Sequence, residues 1–137
     1  MTITKEQILE EARIYRSLSN DISDSWNKVL KWKHISQIEL SRRTGITNRT
    51  INSIVSGQSI GRLECIVLMC LAANLPCEIS EHLIRLSGHA LIMSNEDHIM
   101  YSYLIKHKHT ESLSEIRQFL YEIGSDLYLK IPFEAEI

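Results

Sequence analysis

The chain has 137 residues, 44% of them hydrophobic and 23% charged, with five Gly, two Pro and a formal net charge of −2. That composition excludes a disordered, collagenous or disulfide-stapled class, and the length fits one domain, or a small domain plus an appendage, with a core of its own. So few breakers favour an all-α fold over a loop-rich β fold.

The segment 4–18 places Ile8, Ala12, Tyr15 and Leu18 at helical spacing with charges between them, which predicts an amphipathic helix. The cluster "SNDISDS" (19–25) interrupts it and is rich in N-cap residues. A second helix follows, with Trp26, Val29 and Leu30 inward and Lys28, Lys31 and Lys33 outward. Ser36 opens a third helix, with Glu39 three residues on as a capping box, Ile38 and Leu40 inward, and Gly45 for the left-handed turn at its end. Thr47 caps a fourth, which buries Ile51, Ile54 and Val55 and ends at Gly57.

A fifth helix over 62–74 is apolar nearly all round, and Pro76 prevents its continuation. Three more are expected: 79–86, ending at Gly88; 95–106, capped by Ser94 with Asp97 three residues on; and 111–123, following Thr110 and ending at Gly124. In the tail Leu127, Leu129 and Ile131 alternate, which suggests an extended segment able to pair as a short strand. The expected division is an N-terminal helix (1–20), a central domain (21–76) and a C-terminal helical region for packing or dimerisation (77–137). No basic leader precedes an apolar stretch, and the longest apolar run, "CIVLMCLAA", is far short of the roughly 20 residues of a membrane span. No membrane partner and a cytoplasmic location are expected.

The stretch "SQIELSRRTGITNRTINSIVSGQS" (36–59) holds the most specific pattern in the chain. Ser41 is a small residue where a second helix can pack on the first, Gly45 makes the turn between them, and Ile46 plugs the core. Asn48, Arg49, Asn52 and Ser53 then form a polar face on the second helix. Amides and guanidinium groups are the side chains that hydrogen-bond base edges in a major groove.

From 21 to 76 the chain resembles the phage-repressor type of helix-turn-helix domain, the lambda repressor and Cro relatives of the Xre family. The resemblance rests on "ISQIELSRRTGITNRTINSIVSG" followed by "LECIVLMCLAANLP", about 40% of the chain. It implies a five-helix repressor-like DNA-binding domain with the recognition helix at 47–57. It implies that Gln37 clamps the DNA backbone, that Asn48, Arg49 and Ser53 read bases, and that Thr47 and Thr50 approach phosphates. The chain departs from the pattern at Val55, often acidic in the family, at Gln58, near which a basic residue is usual, and at Gly61, usually Pro. Leu68 and Leu71 stand where the family is usually polar and exposed, so something is expected to cover that side of the fifth helix.

A net charge of −2 does not argue against a polyanion partner. From 28 to 62 there are seven basic residues, Lys28, Lys31, Lys33, Arg42, Arg43, Arg49 and Arg62, against Glu39 alone, a local balance of +6 that leaves −8 for the remainder. Non-specific affinity comes from local phosphate neutralisation, so the distribution matters more than the sum. The expected partner is therefore double-stranded DNA, contacted through Gln37, Arg42, Arg43, Thr47, Asn48, Arg49, Thr50, Asn52 and Ser53. The expected species is a homodimer, since one such domain reads only a few base pairs.

A second reading is a protein-interaction module that keeps this fold without strong DNA binding, with a protein partner at the C-terminal helices. The acidic C-terminal region and the missing basic residues after Gly57 favour it. An enzyme is not expected. Cys65, Cys70 and Cys77 lack a Cys-x-x-Cys pair and read as small buried hydrophobes. His107 and His109 would face apart on a helix, and His89 and His98 read as surface residues. No Gly-rich phosphate loop exists. The aromatics Trp26, Trp32, Tyr101, Tyr103, Phe119, Tyr121 and Tyr128 read as core and interface. No catalytic residue, cofactor or metal is expected.

Overall fold

The computed structural model describes residues 3–130, and these form only helices, turns and loops. In chain order the helices are α1 (Lys5–Ser17), α2 (Ile22–Lys33), α3 (Gln37–Thr44), α4 (Asn48–Val55), α5 (Leu63–Ala72), α6 (Cys77–Leu86), α7 (Glu96–His107), α8 (Leu113–Glu122) and the single turn α9 (Leu127–Lys130). The chain is all-α over this range. No helix among the described residues is long and apolar enough to cross a membrane.

The organising element is α5. Leu63 and every residue from Ile66 to Ala72 are buried, and only Glu64 and Cys65 in its first turn reach partway to solvent, so the helix must be enclosed on several sides. It packs against α3, α6 and α7, while α2 packs against α4 and α6. One hydrophobic cluster results, running from Ile14 and Trp26 through Leu40, Ile51 and Ile66 to Leu104, Leu113, Ile116 and Leu127. Leu68 and Leu71 lie inside it. Leu83, Leu113, Ile116 and Leu120 also join the core.

The helix ends follow ordinary cap chemistry, with some shifts from the sequence expectation. Thr47 accepts a hydrogen bond from the Thr50 N–H, and Gly45 adopts φ 77°. Ser36 accepts from the Glu39 N–H, but the reciprocal half of the expected box is missing because the Glu39 carboxylate is taken by two arginines. Asn95, not Ser94, caps α7, and Ser112, not Thr110, caps α8 in a full box with Glu115. Each cap lies one or two residues inside the expected start, because these segments hold several side chains able to cap and burial of Leu104 and Leu113 selects the register.

Three other expectations are corrected. On α1 the buried residue is Ile14, while Ile8 and Tyr15 are exposed along a shallow groove beside Pro76 and Ile79 of α6. On α7 the core face carries Tyr101, Leu104 and Ile105, whereas Tyr103, read with Tyr101 as core and interface, is exposed. Residues 127–130 form a helical turn instead of a strand: the Ser125 hydroxyl accepts from the Leu127 N–H, and Leu127 is fully buried. Ile131 and the rest of the tail lie outside the described residues.

The C-terminal helices are tied to the centre by polar contacts as well. Asn74 takes the left-handed conformation, φ 54°, after α5. Its side-chain amide donates to the carbonyls of His109 (2.9 Å) and Glu111 (3.2 Å) in the α7–α8 loop. His82 of α6 fixes the α1–α2 junction. Its Nδ1 faces Arg85, which can only donate, so Nε2 carries the proton and donates to the Ser19 carbonyl at 2.8 Å. His89 likewise donates from Nε2 to the Gly61 carbonyl at 2.7 Å. His98 is half-buried, accepts the Ile92 N–H and stacks on Tyr101. His89 and His98 are therefore structural residues and not free surface side chains.

Candidate nucleic-acid interface

The corner between α3 and α4 is built from side-chain to main-chain bonds. Thr44 donates to the Leu40 carbonyl (2.8 Å), and its hydroxyl oxygen accepts from the Ile46 N–H (3.1 Å). The Ser41 hydroxyl donates to the Ile46 carbonyl. The small residue at 41 therefore stitches the turn as well as admitting the second helix. Leu40 below and Ile51, Ile54 and Val55 above are buried, which sets the angle of α4 on α3. Gly61 closes the far end: a Cβ there would stand 2.6 Å from Ile54 Cδ1, so any larger residue would require the Ile54 side chain to shift.

This frame holds Asn48, Arg49 and Asn52 on one exposed face of α4. With Gln37 and Ile38 they line a single shallow depression. The Asn52 amide donates to Gln37 Oε1 at 3.2 Å, joining the start of α3 to the middle of α4. Arg49 makes no ion pair with any described residue and is exposed. Thr47 and Thr50 are exposed too, but their hydroxyls bond each other at 3.0 Å as part of the cap. Ser53 is half-buried, and its carbonyl accepts from the Ser59 N–H.

Arg42 and Arg43 stand apart from this group. Glu39 receives Arg42 Nε (3.0 Å) and Nη2 (2.6 Å), and also Arg43 Nε (2.8 Å). These bonds, Arg42's first, hold the Glu39 carboxyl down at about 2. Arg43 also donates to the Ala72 carbonyl at 2.9 Å, so it braces α3 against the end of α5. The two arginines line a separate groove with Asn74, Glu111 and Ser112. Three of the other basic residues are also partly committed: Lys28 pairs with Asp24 (3.1 Å), Arg62 approaches Glu64 (3.7 Å), and Lys33 lies near Glu10 and Glu11. Part of the segment's +6 is thus met by carboxylates from outside it, while Arg49 makes no such pair among the described residues.

Ile38, expected in the core, is instead 70% exposed. On an eight-residue helix the buried pair is Leu40 and Thr44, one turn apart. Ile38 lies two residues before Leu40 and so projects from the other side. The Glu39 bonds are legible as i, i+3 and i, i+4 spacing, whereas the Gln37–Asn52 contact crosses two helices and has no local signal.

Elsewhere the chemistry is quiet. Burial pushes the Cys70 thiol up to about 12, and burial with Glu81 and Glu78 nearby pushes Cys77 to about 11. Thiols held so far above neutrality are poor nucleophiles. Among the described residues no three His, Cys, Asp or Glu side chains gather where one ion could be held. No family model, no curated protein and no solved structure matches the chain.

Proposed function

We propose that the chain is a sequence-specific double-stranded DNA-binding regulator. In this reading 21–76 is a repressor-like helix-turn-helix domain with α4 as the recognition helix in the major groove. The observation that carries it is a set of amides and one guanidinium without an ion pair among the described residues, exposed Asn48, Arg49 and Asn52 with half-buried Gln37, presented together on a two-helix corner. Amide and guanidinium groups match the donor and acceptor patterns of adenine and guanine edges. Gln37 takes the backbone role, Thr47 and Thr50 sit where phosphates pass, and Ser53 supports the reading face. Arg42 and Arg43 contribute to phosphate attraction only to the extent that Glu39 releases them. Neither a cofactor nor a metal is invoked, and the working species is a homodimer.

Selection of bound duplexes from a random pool by the purified protein tests this directly. Enrichment of a near-palindromic sequence is expected. If no duplex is enriched over the starting pool, the reading falls. A protein-interaction module is the second reading, favoured by the neutralisation of Arg42 and Arg43 by Glu39 and by an isoleucine at 60 that is 76% exposed beside the corner's closing loop.

A further inference from the structure

We infer that Ile38 contacts a thymine methyl group in the bound duplex and so specifies a thymine in each half-site. This rests on the DNA-binding reading above and adds a determinant that the polar face does not supply. Ile38 is the one large apolar side chain in a depression otherwise lined by Gln37, Asn48, Arg49 and Asn52. It is exposed because the helix directs Leu40 and Thr44 inward, and the core draws nothing from it. An exposed isoleucine alone is ordinary. Here it shares a concavity with the amides and guanidinium proposed to face base edges, so whatever fills the depression meets both.

The major groove offers one apolar group for such a side chain, the C5 methyl of thymine. The other base edges there present donors and acceptors, which Asn48, Arg49 and Asn52 answer and an isoleucine cannot. The Gln37–Asn52 bond fixes the rim beside Ile38, so the apolar patch keeps a set position relative to the amides. The methyl would cover part of the isoleucine surface that water now touches.

The test uses the full chain and the duplex enriched from the random pool. Each thymine in a half-site is replaced in turn by deoxyuridine, which removes only the methyl. One replacement in each half-site removes two methyls and is expected to weaken binding by the intact dimer about fifteenfold, about fourfold for each methyl's buried surface. Ile38→Ala should bind the thymine duplex about as weakly as the intact protein binds the deoxyuridine one. It should also show no further loss on that replacement. Its thermal unfolding should be unchanged, since the side chain is outside the core. Equal sensitivity of Ile38→Ala and the intact protein to every deoxyuridine, or no sensitive thymine at all, overturns the inference while leaving sequence-specific binding intact. Failure to enrich any duplex removes the DNA reading itself, and the inference with it.

Discussion

Arg49 and Glu39 carry opposite expectations for DNA binding. Arg49 is exposed and unpaired among the described residues, so Arg49→Ala should cost about 1–3 kcal/mol on an enriched duplex and much less on random DNA. Titrations of both duplexes by fluorescence anisotropy would separate the two effects. Glu39 holds Arg42 and Arg43 at bonding distance, so its removal should free charge for phosphates. Glu39→Gln is expected to tighten binding to random duplexes and to steepen the salt dependence by about 0.9 for each additional phosphate neutralised. An unchanged slope would mean that neither arginine faces the duplex. The same carboxylate gives a pH signature. Its pKa is depressed from 4.5 to about 2, so its pairing is fully present above about pH 4.5 and is lost as the pH falls through about 2. Carboxyl chemical shifts followed over that range should show Glu39 as the late-protonating group, and Arg42→Ala should return it toward 4.5.

At the scale of helices and their ends, two positions decide how the pieces are joined. Asn74 combines a left-handed backbone with two bonds to the α7–α8 loop. Asn74→Gly keeps the backbone and loses the bonds, which should cost about 0.5–1.5 kcal/mol for each one lost. Asn74→Ala should cost about 1–2 kcal/mol more, because a Cβ disfavours that conformation. Urea unfolding of both variants would check the order, and equal midpoints would mean that the left-handed turn carries no strain. Gly61→Ala places a methyl against Ile54 and should destabilise by about 1–3 kcal/mol unless the isoleucine rotates away. These joints also mark what is legible in the sequence. The boundaries of α3 and α4 can be read because Ser36, Gly45 and Thr47 act locally. The face of α3 cannot be read from Ile38, because hydrophobicity on eight residues does not say which of two apolar positions the neighbouring helix covers. The α7 and α8 caps fall one or two residues away for a related reason: Ser94 and Asn95, or Thr110 and Ser112, compete on equal chemical terms until packing chooses. The candidate site is legible in its residue types. Its division into the Asn48, Arg49 and Asn52 group and the braced Arg42 and Arg43 pair is not, since the carbonyl of Ala72 that holds Arg43 is 29 residues away in sequence.

At the scale of the whole molecule, the question is how many copies act together. On the proposed DNA-binding reading, a single reading helix would span only a few base pairs, and specificity would come from pairing two readers about one helical turn apart. The exposed apolar residues of the C-terminal half, among them Ile92, Met93, Ile99, Tyr121 and Ile123, lie outside the basic segment and outside the depression that holds Asn48 and Arg49. A two-fold contact there would leave both readers free, and a closed interface presents the same patch from each copy. Deleting residues 95–137 would not test this cleanly, because Leu104, Ile105, Leu113 and Ile116 belong to the same core as α5. Such a deletion should unpack Leu68 and Leu71 and leave a poorly soluble chain. Charge placed on the surface of the intact chain avoids that difficulty. Light scattering at micromolar concentration should give twice the chain mass of 15.8 kDa, and the double variant Tyr121→Glu, Ile123→Glu should return the chain mass while keeping its helical content and a cooperative unfolding transition. That variant should still bind one half-site but lose the advantage of a palindrome. An intact protein that scatters as a monomer and binds a single half-site as tightly as a palindrome would end the dimer proposal, whatever its sequence preference.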